Sequence, residues 1–135
     1  MDRKRISKIA LPLIVLICFL NYLASKFYLY TSIWFFDMGM HFLGGFWLSI
    51  AFLWLIKARN IIPKTIWQVT LGVIVIGTFW EFFEIIFYNH IAQNHFNIID
   101  TLSDICFDLA GGFFALLYFS KKTGNSIMSA EQNKL

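Results

Sequence analysis

The sequence predicts an all-α membrane protein, a bundle of four transmembrane helices, and three observations support this. Of its 135 residues, 59% are hydrophobic and only 14% are charged, which is too apolar for a soluble domain. Crossing a bilayer takes about 20 mostly apolar residues. Four stretches meet that requirement: 9–25, 38–55, 65–88 and 98–119. The basic residues cluster at the ends of these stretches, and the length allows one domain only.

The chain divides into a basic segment, residues 1–8, a transmembrane domain, residues 9–120, and a polar tail, residues 121–135. A basic start before an apolar stretch is typical of a signal peptide, but no small-residue cleavage site follows. We therefore interpret the first stretch as a retained signal anchor, with Pro12 in its first turn, where the missing N–H costs little. The tail is expected to be mobile and cytoplasmic.

The orientation follows from the Lys and Arg residues. Ten of the eleven precede the first stretch, lie between the second and third, or follow the fourth, and only Lys26 lies on the other side. Because short loops rich in Lys and Arg stay in the cytoplasm, both termini are predicted to be cytoplasmic. The net charge of +3 is therefore interpreted as a topology signal, and no nucleic-acid partner is expected.

Carboxylates are the unusual feature of the apolar segments. Six of the eight lie inside or at the edges of these segments, with no Lys or Arg among them: Asp37, Glu81, Glu84, Asp100, Asp104 and Asp108. Ionised side chains in a bilayer are costly and are normally retained for a purpose. With the predicted orientation, all six fall in the outer-leaflet half of their helices, so we predict one polar site there.

Helical spacing also places the polar groups of each helix on one face. Asp37 and His41 are four residues apart, Glu81 and Glu84 are three apart, and the aspartates of the last helix repeat at four. Polar side chains that faced lipid would find no partner, so these faces should point into the bundle. The structural alternatives are that Asp37 and Asp100 are helix N-caps and that the deeper acids hydrogen-bond between helices.

Buried carboxylates cannot all ionise without a counter-charge. A divalent cation supplies one: Mg²⁺, Mn²⁺ and Ca²⁺ favour carboxylate oxygens, and an imidazole widens the choice to Zn²⁺ or Fe²⁺. The predicted metal ligands are Asp37, His41, Glu81, Glu84, Asp100, Asp104 and Asp108. If no metal binds, the acids must share protons. His90 and His95, in the outer loop, are expected to be solvated.

Two segments of ten residues, 37–46 and 104–113, share an acid, a glycine pair and a phenylalanine at matching positions. This similarity suggests the hypothesis of two duplicated helix hairpins. The glycines are expected to pack helices closely just below the acidic layer, since small residues let backbones approach in a membrane. They are Gly44, Gly45, Gly111 and Gly112.

At these residues the chain resembles the VanZ-like membrane proteins. The segments that carry the resemblance are Asp37-x-x-x-His41-Phe42, Thr78-x-x-Glu81-x-x-Glu84 and Asp104-x-x-x-Asp108-x-x-Gly111. They are similar to the family's Asp-Lys-x-x-His-Phe, Ser-x-x-Glu-x-x-Gln and Asp-x-x-x-Asn-x-x-Gly segments, and the resemblance covers about residues 37–119.

Four departures from the VanZ-like pattern make the region more negative. Met38 stands where that family has Lys, Glu84 where it has Gln and Asp108 where it has Asn, and no Arg precedes the final aspartates. The chain is in this respect closer to the YjdF-like group. The resemblance implies a small multi-pass protein of the bacterial inner membrane, in a family with one member linked to glycopeptide resistance.

Three classes of function remain open at this point. In the first, a cation-binding site of the outer leaflet serves a lipid or cell-envelope intermediate. An enzyme of this class would hold the metal with Asp104, Asp108 and Glu81, and His41 or Glu84 would move the proton as the catalytic group. In the second, a homo-oligomer transports protons or cations. In the third, the protein is a structural subunit without catalysis. No motif of a known membrane enzyme decides between them.

Overall fold

The computed structural model describes residues 3–58, 60–87 and 97–132, and every regular element within these ranges is helical. The elements are α1 (Arg3–Phe27), α2 (Leu29–Ser32), α3 (Phe36–Leu55), α4 (Pro63–Phe87) and α5 (Ile98–Gln132). In the described part of the chain, four spans are long and apolar enough to cross a membrane: Ile6–Phe27, Phe36–Leu55, Pro63–Ile86 and Ile98–Lys121. The predicted all-α bundle of four membrane-crossing helices is confirmed.

The first and last helices, α1 and α5, are longer than the apolar stretches predicted for them. α1 begins at Arg3, so Pro12 lies inside the helix, and its predicted place in the first turn was wrong. The helix extends into the basic segment because residues 3–8 contain no glycine or proline. α5 continues through part of the polar tail to Gln132, where the sequence was expected to be mobile. That segment contains no proline to end the helix.

The connections on either side of α3 use residues with a left-handed backbone. Tyr28, with φ 53°, separates α1 from α2, a short helix that the sequence analysis did not predict. Lys57, with φ 52°, ends α3. There the Ala58 N–H donates to the Leu53 carbonyl at 3.1 Å and the Lys57 N–H to the Trp54 carbonyl at 3.3 Å. These bonds satisfy carbonyls that would otherwise be unpaired at the helix end.

The α3–α5 pair is the most extensive helix contact, and glycines make it close. A Cβ atom on Gly45 would collide with the carbonyl oxygen of Asp108, and one on Gly111 would collide with the carbonyl oxygen of Phe42. A Cβ on Gly112 would lie 2.8 Å from the Ser49 Oγ. The packing role predicted for these three glycines therefore agrees with the structure, and it brings α5 directly beside α3.

The hydrophobic core occupies the end of the bundle away from the acids. It consists of Ile6, Ile50, Leu53, Ala58, Val69, Val73, Ala115, Leu116 and Phe119. α3 lies at the centre and contacts α1, α4 and α5, whereas no Cα atoms of α1 and α4 lie within 8 Å of each other in the described residues. α1 is held to α3 partly by Trp47, whose Nε1–H donates to the Ala10 carbonyl at 2.9 Å.

Candidate functional site

Three helices bring polar side chains to the same end of the bundle. α3 and α5 begin at this end and α4 finishes there, so the acids occupy the first turns of two helices and the last turns of the third. The residues concerned are Asp37 and His41 on α3, Glu81 and Glu84 on α4, and Asp104 and Asp108 on α5. His41, Glu81, Asp104 and Asp108 are each no more than 7% exposed.

His41 lies at the centre of this cluster, with its two ring nitrogens facing different carboxylates. Nε2 is 3.7 Å from Asp37 Oδ1 and 3.6 Å from Glu81 Oε1. Nδ1 is 3.5 Å from Asp108 Oδ1. One imidazole thus contacts acids from its own helix, from α4 and from α5, which the sequence spacing alone did not indicate.

Two sets of side chains lie close enough together that each could hold a metal ion. One consists of Asp37, His41 and Asp104, and the other of His41, Glu81 and Glu84. Within each set, one ligand atom per residue lies within 4.8 Å of the others. Carboxylate oxygens with one imidazole nitrogen suit Mg²⁺, Mn²⁺ or Zn²⁺. The structure therefore brings together five of the seven predicted ligands, with His41 common to both sets.

The carboxylate of Glu81 has a buried atom without a hydrogen-bond partner. This atom, Oε1, has no such partner among the described residues, although it faces His41 Nε2 at 3.6 Å. A buried polar atom without a partner normally costs about 1–3 kcal/mol. A ligand in contact with Oε1 would remove this cost.

Asp108 belongs to neither ligand set, and it faces Nδ1 of His41 at 3.5 Å. Its carboxylate is closely surrounded: a Cβ atom on Gly77 of α4 would lie 2.6 Å from Oδ2, whereas one on Gly44 would lie 3.8 Å from Oδ1. Gly44 is thus in ordinary contact, whereas a side chain at position 77 would force the Asp108 carboxylate to shift. A carboxylate on the far nitrogen of a metal-binding histidine orients the ring. The geometry matches that supporting role.

Gly77 was not among the site residues predicted from the sequence. One signal could have identified it: it lies four residues before Glu81 and therefore on the same face of α4. The sequence contains several glycines in apolar runs, so spacing alone would not have distinguished this one.

Asp100 is exposed in the first turn of α5 and also lies outside both ligand sets. It is one turn, or about 5–6 Å, further out than Asp104. Neither Asp37 nor Asp100 is a helix N-cap. Asn97 Oδ1 accepts from the Ile99 N–H at 3.1 Å at the start of α5, and Phe35 is the N-cap of α3 without a side-chain bond. Asp37 and Asp100 lie instead in first turns, where a negative charge is favourable.

A cavity of about 530 Å³ reaches the cluster from the side of α1. Its lining is mostly apolar and aromatic, and it includes four polar members of the cluster: Asp37, His41, Glu84 and Asp108. Glu81 and Asp104 do not line it. The sequence analysis did not anticipate the cavity, or the contributions of Asn21 and Tyr30 to its wall. His90 and His95 lie outside the described residues.

Comparison with known proteins agrees with the membrane architecture. A model of the family described as predicted membrane protein DUF2238 matches residues 1–124. No curated protein and no solved structure shows significant similarity to the chain. The match spans all four membrane-crossing helices and the whole polar cluster. The chain therefore belongs to the DUF2238 family of multi-pass membrane proteins.

Proposed function

We propose that this protein holds a divalent cation at the acidic cluster, in the outer-leaflet half of a bacterial inner membrane, with both termini in the cytoplasm. The cation site serves a lipid or cell-envelope intermediate whose head group reaches that depth. His41 and Glu84 are the groups proposed to move protons if the protein is an enzyme. In this proposal the protein is also related to the VanZ-like and YjdF-like membrane proteins.

The observation that carries the proposal is the unpartnered Oε1 atom of Glu81. It lies 3.6 Å from Nε2 of His41, and Asp37 Oδ1 lies 3.7 Å from the same nitrogen. Glu81 forms a ligand set with His41 and Glu84, and a cation held by that set would give Oε1 a partner. Among the described residues that line the adjoining cavity there is no Lys or Arg to do so. A bound metal ion explains the arrangement better than hydrogen bonding between helices does.

The apolar core supports a binding site over a conduction pathway. Beneath the cluster, towards the end of the bundle predicted to be cytoplasmic, the buried side chains are almost all aliphatic or aromatic. Ser49 is a buried polar residue next to this layer, and its Oγ has no hydrogen-bond partner in the described part of the chain. A path for ions would need a continuous series of such groups. We therefore place transport second to cation binding.

Purified protein in neutral detergent is expected to bind Mn²⁺ with fixed stoichiometry, measured by titration with electron paramagnetic resonance. Glu81→Gln should lose that binding, because Glu81 is 5% exposed and its Oε1 atom belongs to the ligand set on which the proposal rests. Asp100→Asn is the matched control, since Asp100 is exposed and outside both sets. Wild-type protein that binds no Mn²⁺, Mg²⁺, Ca²⁺ or Zn²⁺ would overturn the proposal.

Gly77→Ala is expected to weaken Mn²⁺ binding about 10- to 100-fold, the usual effect of disturbing a group that orients a histidine ligand. The added methyl group would lie 2.6 Å from Asp108 Oδ2 and push that carboxylate away from His41. Gly44→Ala places its methyl 3.8 Å from Oδ1 and should leave the affinity unchanged. Equal affinities in the two variants would show that Asp108 does not support His41.

A further inference from the structure

We propose that the cavity beside the acidic cluster binds an amphiphile with an ammonium head group. Its alkyl chain would lie between α1 and α4, and its ammonium group would contact Glu84 and Asp37. The inference rests on the proposed function, because it assigns a ligand class to the cavity side of the same cluster.

The shape of the cavity supports an amphiphile from the bilayer. α1 and α4 both cross the membrane, yet their backbones do not approach each other in the described residues. The space between them is lined by aliphatic side chains, Ile14 and Ile17 from α1 and Ile76 from α4. Its volume of about 530 Å³ is within the range usual for small-molecule pockets. A space between membrane helices suits a molecule that is already dissolved in lipid.

The charge of the cluster favours a cationic head group. Five carboxylates surround His41: Asp37, Glu81, Glu84, Asp104 and Asp108. One divalent ion carries two positive charges, fewer than the number of acids in the cluster. A phosphate head group would add negative charge, whereas an ammonium group removes it. Glu84 and Asp37 are the acids placed to meet it, since both line the cavity.

Aromatic rings around the same wall add to this preference. Trp80 and Phe83 of α4 line the cavity with their ring centroids 5.8 Å apart, and Trp47 lines it from α3. Aromatic faces attract ammonium groups, most strongly where water is excluded. Tyr30 lies in the wall as well and donates its hydroxyl hydrogen to Asn21 Oδ1 at 2.8 Å. That bond connects α1 to α2 beside the cavity.

The test is a calorimetric titration of full-length protein in neutral maltoside detergent with three probes of equal chain length: dodecylammonium, dodecanol and dodecyl phosphate. Dodecylammonium should bind saturably and at least about tenfold more tightly than dodecanol, the ratio expected for a charge-assisted hydrogen bond. Glu84→Gln should remove most of that ratio. Equal affinity for the amine and the alcohol would overturn the inference. So would tight binding of the phosphate that needs Mn²⁺, which would indicate a metal-bridged anionic lipid.

Two tryptophan substitutions on α4 separate the cavity from the lipid-facing surface. Ile76→Trp should fill the cavity and abolish amine binding, while Val75→Trp, at a 56% exposed position outside the lining, should not. Mn²⁺ binding is measured in parallel on each protein. If wild-type protein bound Mn²⁺ but did not bind dodecylammonium, this inference alone would be overturned. Amine binding without any divalent-ion binding would overturn the proposed function alone.

Discussion

Gly111→Ala is expected to lower the free energy of unfolding by about 3 kcal/mol, the upper part of the range for overpacked sites. The new methyl group would occupy the position of the Phe42 carbonyl oxygen, which belongs to the backbone of α3 and cannot rotate away. The two helices would have to separate along their most extensive contact. Denaturation in a graded series of sodium dodecyl sulfate and maltoside mixtures, followed by circular dichroism, measures the change.

Gly39→Ala is the matched control for this substitution. Gly39 lies on α3 as well, but a Cβ atom there would meet nothing within 4 Å. Alanine is favoured over glycine in a helix by up to about 1 kcal/mol, so this variant should be as stable as wild type or slightly more stable. If Gly39→Ala and Gly111→Ala had the same stability, the close α3–α5 crossing would be wrong.

Mn²⁺ at about 100 times its Kd is expected to stabilise the wild-type protein by about 2.7 kcal/mol, and Glu81→Gln is expected to abolish that stabilisation. A ligand that binds only the folded state shifts unfolding by mass action. The ligand atoms of the Glu81 set come from two helices, α3 and α4, so the unfolded chain cannot form the same site. Gln keeps the shape of Glu81 but loses the charge that a cation needs.

Asp100→Asn should retain the full Mn²⁺ effect, because this exposed side chain takes no part in either ligand set. The same denaturation series with and without Mn²⁺ provides the readout. If Mn²⁺ still stabilised Glu81→Gln but no longer stabilised Asp100→Asn, the cation would bind at the start of α5 and not at the cluster. If divalent ions did not change the stability of the wild-type protein, a purely structural role for the acids would be favoured.

The membrane-crossing helices were predictable because the bilayer imposes a local requirement. A span must be long and apolar enough whatever it packs against, so the predicted stretches agree with the observed spans to within a few residues. The misplaced Pro12 and the unforeseen helical extension to Gln132 lie at the two ends, where hydropathy no longer decides where a helix stops.

The polar site was predictable in part for a similar reason. Spacings of three and four residues put His41 with Asp37, and Glu81 with Glu84, on shared helix faces. Because placing ionised side chains in lipid costs free energy, those faces were expected to point away from lipid. Spacing does not state how far each helix is rotated or which helix it meets. Asp100 and Asp104 are four residues apart, yet one is exposed and the other is 3% exposed.

The sequence by itself determined the helical class, the four spans and the collection of acids at one end of the bundle, because these depend on hydropathy and position along each helix. Only the tertiary structure decided that Nε2 of His41 faces Asp37 and Glu81 while Nδ1 faces Asp108. It alone revealed how closely Gly77 approaches the Asp108 carboxylate. The cavity between α1 and α4 also became visible only in the tertiary structure. These features depend on helix rotation and on distances between backbones, which are properties of helix pairs and not of any single segment.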